Sequence, residues 1–255
     1  MKILNEQLSG WKTRYHDARK KPDVWISDEK KVAFIQLRKV ASRSSKFAFS
    51  QFIMGEGGGS NPPAPTSDDI KRLDKQYAHH MAPRRVAALA KTHYIFTIIR
   101  NPLARLYSCY TNKIVSYKEK NRPNILGSWG IHLDMSFEDF VRRVAEIPDV
   151  ESNTHFRAMH PFLTHKGCLL PHTLCRLENL ASDWNVVQQN VPGFPCLPKM
   201  NQSSVSGKLL YSDAYSSELA EIAYERYHKD IELLGYEEGI KGMISSLKKK
   251  GTNRQ

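Results

Sequence analysis

Apolar positions along this chain follow two different patterns. Residues 31–37, KVAFIQL, and residues 92–100, THYIFTIIR, are short, nearly continuous apolar runs with β-branched and aromatic members. Such runs predict buried strands. A polar or proline-marked junction follows each run. Apolar residues then return at helical spacing, in KFAFSQFIM after the first run and in LARLYSCYTNKIVSYK after the second. The chain therefore reads strand, junction, helix, twice over. Pro102 suits the first turn of the second helix, because its missing N–H has no partner to lose there. Residues from Asp68 to Ala90 read as mostly helical, with an interruption near His79–Pro83. Ser136 opens a further helix, with a capping hydroxyl and an acid three residues on. Residues 168–177, CLLPHTLCRL, predict short strands, and Leu219, Ile222, Ala223 and Tyr227 mark a C-terminal amphipathic helix.

Strands alternating with helices predict an α/β fold with a central, mostly parallel sheet flanked by helices. Three regions are expected: an N-terminal extension over residues 1–30, a main domain over 31–240, and a basic tail over 241–255. GEGGGSNPPAPTS, residues 55–67, reads as a flexible loop by composition. No internal repeat is evident.

Composition narrows the class. Across 255 residues, 38 Lys+Arg against 26 Asp+Glu leave a formal charge of +12. That balance predicts an anionic partner: a phosphorylated nucleotide, an acidic glycan, nucleic acid or a membrane surface. No apolar run approaches the length of a membrane-spanning helix. No secretory signal opens the chain, so a cytoplasmic location is expected, with peripheral membrane contact left open. Cys109, Cys168, Cys175 and Cys196 are too few for a disulfide framework and are expected to be thiols.

The junctions carry the candidate chemistry. In an open α/β sheet, ligands sit beyond the C-terminal ends of the strands. Helix N-termini there offer unpaired N–H groups and partial positive charge. The first junction is Arg38-Lys39-Val40-Ala41-Ser42-Arg43-Ser44-Ser45. It combines a mobile cation in Lys39, a planar fork in Arg43, and hydroxyl donors in Ser44 and Ser45. It lacks the Gly-rich wrap and Lys-Ser/Thr ending of a nucleoside-triphosphate loop. At the end of the second strand stands Arg100, with Arg105 beyond it and Ser108 two helical turns along. Two cationic junctions on one sheet edge suit a ligand with two separated anionic groups.

These residues resemble the carbohydrate sulfotransferases of the Golgi-type family (sulfotransferase family 2) and their bacterial relatives. The first junction is similar to that family's 5′-phosphosulfate loop, Pro-Lys-Val/Thr-Ala/Gly-x-Thr-Ser. FTIIRNPLARLYS is similar to its 3′-phosphate motif, Arg-Asp/Asn-Pro-x-x-Arg-Leu/Val-x-Ser. Residues 153–157, NTHFR, resemble an Asp-Pro-His-Trp/Phe-Arg segment. Glu178, Leu180 and Asp183 resemble an acidic segment at a strand end. Residues 199–204, KMNQSS, resemble a late Asn/Ser loop near the donor. Tyr227, Asp230 and Leu234-Gly235-Tyr236 resemble the family's ending. The resemblance spans roughly residues 31–236. Arg38 replaces the usual Pro and Arg43 the usual Thr, and the membrane anchor of Golgi members has no counterpart.

The resemblance implies a P-loop-like three-layer fold and transfer of a sulfuryl group from 3′-phosphoadenosine 5′-phosphosulfate (PAPS) to a carbohydrate hydroxyl. Lys39 would stabilise the leaving group. Residues 38–45 would hold the 5′-phosphosulfate, Arg100 and Ser108 the 3′-phosphate, and Asn201 and Ser203 would lie close by. No metal is required, since protein cations can neutralise the developing charge. A histidine suits the general base. His80 lies in the interval where related enzymes place a catalytic His or Glu. His79 is adjacent, and His155 is the second candidate. A nucleotide- or nucleic-acid-binding protein without transfer activity is the alternative, although no nucleic-acid signature is evident. His165-x-x-Cys168 and His172-x-x-Cys175 have zinc-like spacing, but strand alternation would divide them between two faces.

Overall fold

A computed structural model describes residues 21–53, 66–197 and 211–252. In chain order the elements are β1 (Asp23–Ser27), β2 (Val32–Gln36), α1 (Ser42–Ile53), α2 (Ser67–Tyr77), β3 (Ala78–His80), α3 (Pro83–Leu89), β4 (Tyr94–Ile99), α4 (Pro102–Tyr110), α5 (Ser116–Glu119), α6 (Phe137–Glu146), α7 (His160–Leu163), β5 (Thr164–His165), β6 (Cys168–Leu169), β7 (Thr173–Arg176), α8 (Leu180–Asn190), α9 (Ser217–Leu233) and α10 (Glu237–Thr252). They divide into a sheet unit, residues 21–100 and 161 onward to the late loop, and a helical unit, residues 101–160 together with 211–252. The Gly/Pro-rich loop read from sequence falls mostly outside the described residues.

The sheet unit is built on five strands in the order β3-β1-β2-β4-β7. β2 pairs parallel with β4, and β4 parallel with β7. β1 runs antiparallel to β2 and to β3. Four strands therefore point one way and β1 opposes them, so the expected mixed α/β architecture with a mostly parallel sheet holds. β1 lies within the stretch read from sequence as an extension, so the sheet starts earlier than the apolar signal does. The break between α2 and α3 is itself a strand, β3, on the sheet's edge.

One row of side chains crosses this sheet. Ala78, Trp25, Phe34, Phe96 and Thr173 are successive register partners. Partners share a face, and this face holds the aromatic core. Phe34 stacks on Phe96 at 5.1 Å. Phe49 of α1 meets the edge of Trp25 at 6.1 Å, and Tyr77 of α2 stacks on Trp25 at 6.3 Å. Trp184 of α8 meets Phe96 at 5.6 Å. Each of these large rings contributes roughly 1.5–3 kcal/mol by leaving water. α1 is buried on every side from Ser44 to Phe52. α2 starts on a capping box, in which Thr66 Oγ1 accepts from the Asp69 N–H and Asp69 accepts from the Thr66 N–H.

The helical unit starts at Asn101-Pro102. Asn101 Oδ1 accepts the N–H groups of Leu103 and Ala104, at 3.0 and 3.2 Å, and Pro102 occupies the first turn. The dipeptide thus both ends β4 and caps α4. A π-helical turn, Thr111–Val115, follows. α6 starts at Ser136, whose Oγ accepts the Asp139 N–H at 3.1 Å. α9 packs against α4, α6 and α10, burying Leu219, Ala223, Tyr227 and Ile231. α10 continues through Thr252, so much of the stretch read as a basic tail is helical, with Ile240 and Ile244 buried. Among the described residues no helix is long and apolar enough to cross a membrane.

Candidate functional site

The rim of the sheet unit is set by strand direction. Because β2 and β4 are parallel neighbours, the chain leaves both at the same edge. Residues 37–41 follow β2, and Arg100 follows β4. Arg38 lies two residues past Gln36, and Arg100 two residues past Ile98. Lys39 and Arg100 therefore emerge on one rim, as the order of elements implied.

The first junction has an uncommon backbone. Lys39 and Ala41 both take positive φ, 70° and 58°, a left-handed conformation that costs a side-chain-bearing residue roughly 1–2 kcal/mol. Such strain persists only where the surroundings hold it, and it clusters at ligand-binding turns. Directly after this double reversal α1 begins. The amides of Ser42, Arg43 and Ser44 have no earlier turn to donate to, and they open toward the loop. Arg38 and Arg43 are exposed, Lys39, Ala41 and Ser42 are half-buried, and Val40 is buried. Ser45 is fully buried, and its hydroxyl turns back toward the carbonyl of Ser42 at 3.3 Å. Both predicted hydroxyls, Ser44 and Ser45, are thus buried, and the half-buried Ser42 is the more accessible one.

Arg100 is half-buried at the strand end. Ser108 is half-buried on α4 in the helical unit. Asn201 and Ser203 lie outside the described residues.

The two adjacent histidines separate by strand alternation. On β3, His80 is the register partner of Asp23, and His79 that of Val24. His80 thus shares a face with Asp23 and Gln36, while His79 faces the other way. His80 Nδ1 lies 2.8 Å from Asp23 Oδ1. The same carboxylate accepts from Arg38 Nη2 at 3.3 Å. Gln36, the third member of this row, is buried, and among the described residues neither polar atom of its side-chain amide has a hydrogen-bond partner.

His155 sits in the helical unit. Its Nδ1 is 2.7 Å from Asn153 Oδ1. The segment around it is clamped from several directions. Arg105, only 2% exposed, donates to the carbonyls of Arg157 and Thr154 at 2.7 and 3.1 Å. Tyr227 donates its hydroxyl to the Phe156 carbonyl at 2.5 Å. Asp230 accepts the N–H groups of Met159 and His160, at 2.6 and 2.7 Å. Arg105 is therefore a brace for residues 154–157. Tyr227 and Asp230, noted from sequence only as a family-like ending, fasten that same segment.

Sequence reasoning missed three groups. Asp23 was not singled out, because β1 itself was not. Lys46 ion-pairs with Asp74 at 2.5 Å while lying 5.5 Å over the ring of Trp25. Burial pulls its ammonium below the usual lysine range, against the opposing pull of Asp74. The third is a field: from Lys75 to Lys118 the chain contains no Asp or Glu. That span carries His80, Arg84, Arg85 and Arg100, and it was legible without a structure.

The zinc-like spacing resolves into separate elements. β5 and β6 form a two-stranded hairpin pairing His165 with Cys168. Cys175 is buried on β7, and burial pushes its thiol up to about 12. His172 Nδ1 accepts the N–H of Ile95 at 2.9 Å. Among the described residues no three or more His, Cys, Asp or Glu side chains gather as a metal site.

The model of the sulfotransferase family (family 2) matches residues 22–237. No curated protein and no solved structure matches the chain. The matched span starts one residue before β1 and includes both rim junctions, the clamped segment and the fastening residues of α9. This chain belongs to the sulfotransferase family and is a transferase enzyme.

Proposed function

We propose that the enzyme moves a sulfuryl group from PAPS to a hydroxyl of a carbohydrate acceptor, with His80 as the general base. The observation that carries this reading is the parallel pairing of β2 with β4, which gives one rim two cationic junctions. A nucleotide bearing a 5′-phosphosulfate and a 3′-phosphate has two anionic ends to match them.

The roles follow from the groups present. The amides at the start of α1 and the Ser42 and Ser44 hydroxyls hold the 5′-phosphate, with the backbone of Val40 and Ala41 shaping the turn and Ser45 bracing it. Arg38 and Arg43 supply planar donors to sulfuryl oxygens. Lys39 brings its ammonium to the bridging oxygen, where charge develops as the S–O bond breaks. Arg100 and Ser108 take the 3′-phosphate, as the family motif implies, and Asn201 and Ser203 keep their family-based role near the donor. As the acceptor oxygen forms its bond to sulfur, its proton passes to His80 Nε2. The products are the sulfated acceptor and 3′-phosphoadenosine 5′-phosphate. Proton transfer of this kind is worth about 10²–10⁴ in rate. His155 is the reserve candidate for the same task.

A panel of saccharides incubated with ³⁵S-labelled PAPS tests the proposal. Label should appear on a saccharide, and His80→Ala should lower turnover by about 10²-fold or more with binding of 3′-phosphoadenosine 5′-phosphate kept. No affinity for that nucleotide, together with salt-sensitive binding of nucleic acid, would instead support a binding protein without transfer activity.

A further inference from the structure

We infer that Asp23 is the positioning residue of the base: it fixes the tautomer and direction of His80 and ties the base to the donor loop through Arg38. This rests on the reading of His80 given above and extends it to a residue on a different strand.

The stretch of chain carrying His80 has no carboxylate of its own between Lys75 and Lys118. A carboxylate partner has to come from elsewhere, and β1 supplies it. Asp23 and His80 are direct register partners, so their side chains leave the sheet on one face. β1 is hydrogen-bonded on both sides, to β2 and to β3, which pins the Asp23 backbone. The Asp23 side chain is 18% exposed, whereas that of His80 is 78% exposed. The shielded carboxylate thus holds one nitrogen of an imidazole whose other side is open.

The hydrogen-bond chemistry then has one solution. An ionised carboxylate only accepts, so the 2.8 Å contact requires the proton on Nδ1. Nε2 is left with its lone pair directed outward, ready to take the acceptor's proton. The imidazolium formed in that step lies against a negative charge and is stabilised by it, while Asp23 stays ionised. Arg38 donates to the same carboxylate at 3.3 Å. This accounts for an arginine where the family usually has proline: a proline ring could not reach Asp23. The donor loop and the base therefore share one anchor, although Asp23 and His80 are 57 positions apart in sequence.

The test has two independent readouts on the full chain. In ¹⁵N–¹H correlation spectra of the imidazoles, with His80 assigned by its loss in His80→Gln, the neutral ring should be the Nδ1–H form. Asp23→Asn should return it toward the Nε2–H form that free imidazoles prefer. In kinetics, Asp23→Asn should lower kcat by about 10²-fold or more with the KM for PAPS changed by less than about threefold, while Asp23→Glu recovers part of kcat. Circular dichroism and binding of 3′-phosphoadenosine 5′-phosphate check that each variant is folded.

The outcomes separate the two claims. If His80→Ala keeps full turnover, the base assignment falls, and the catalytic role of Asp23 with it. If His80→Ala is inactive but Asp23→Asn keeps its kcat and its tautomer, only the role of Asp23 is overturned. A parallel loss of kcat and donor affinity with the tautomer unchanged would make Asp23 a support of the donor loop alone, and would also overturn the inference.

Discussion

Asp230 and His160 meet at 2.8 Å, carboxylate to imidazole, with Asp230 wholly buried. The same carboxylate also accepts two main-chain N–H groups. It is therefore a knot between α9 and the chain at residues 159–160, and its loss is a stability question. Asp230→Ala leaves buried donors without an acceptor and should cost about 3–5 kcal/mol, measured as a lower urea midpoint. Tyr227→Phe removes one bond to the Phe156 carbonyl and should cost only about 1–2 kcal/mol.

Ala41 holds a positive φ of 58°. Glycine relieves that strain but loses more entropy on folding, and the two effects nearly offset. Ala41→Gly should therefore raise stability by about 0.5–1 kcal/mol at most, read as a small rise in Tm. Ala41→Val, with a branched side chain in the same conformation, should lower both stability and affinity for the donor nucleotide.

Lys46 is nearly buried, and Asp74 is its carboxylate partner. Asp74→Ala strands the ammonium over Trp25. Since Asp74 is itself partly in water, the cost should be roughly 1–3 kcal/mol, less than for a fully enclosed pair. Replacing both, Lys46→Met with Asp74→Leu, should recover most of the loss. A double-mutant cycle in urea measures the coupling.

Cys175 is buried, and its thiol is pushed from the usual 9 up to about 12. The native state favours the neutral thiol, so that contribution to stability is complete below about pH 9 and is lost as pH rises toward 12. Burial raises the phenols of Tyr215 and Tyr227 as well, with the same sign. Lys46 works in the opposite direction, its lowered ammonium favouring the native state as pH rises toward 10.5. Tyr94, Tyr110 and Tyr224 are also shifted up, while Tyr117, hydrogen-bonded by Lys113, is shifted down and acts with Lys46; the balance predicts a declining Tm above about pH 9. At pH 8, Ellman's reagent should modify the exposed Cys168 and Cys196 quickly, and Cys175 only on unfolding.

Much of the sheet unit was legible because its signal is local. β2 and β4 are continuous apolar runs, and Asn101-Pro102 marks both a strand end and a helix cap. β1 was not legible: DVWIS is five residues long and begins and ends on polar side chains. β3 is three half-buried or exposed residues on an edge, with no pattern to detect. The candidate site divides along the same line. Lys39 and Arg100 follow from strand direction alone, whereas the partnership of Asp23 with His80 depends on pairing between strands that sequence did not reveal. Arg105 illustrates the reverse case. Its place in the motif suggested a rim cation, yet its guanidinium satisfies main-chain carbonyls.

The turn between β1 and β2 is four residues long, from Asp28 to Lys31, and closes with Lys31 in a left-handed conformation. It sits at the far end of the hairpin from Asp23. Side chains alternate along a strand, so a slip of β1 by one residue against β2 would turn Asp23 to the reverse side of the sheet. The buried Trp25, two residues from Asp23 on the same face, makes that slip costly, so the ring that fills the core also keeps the phase of the carboxylate.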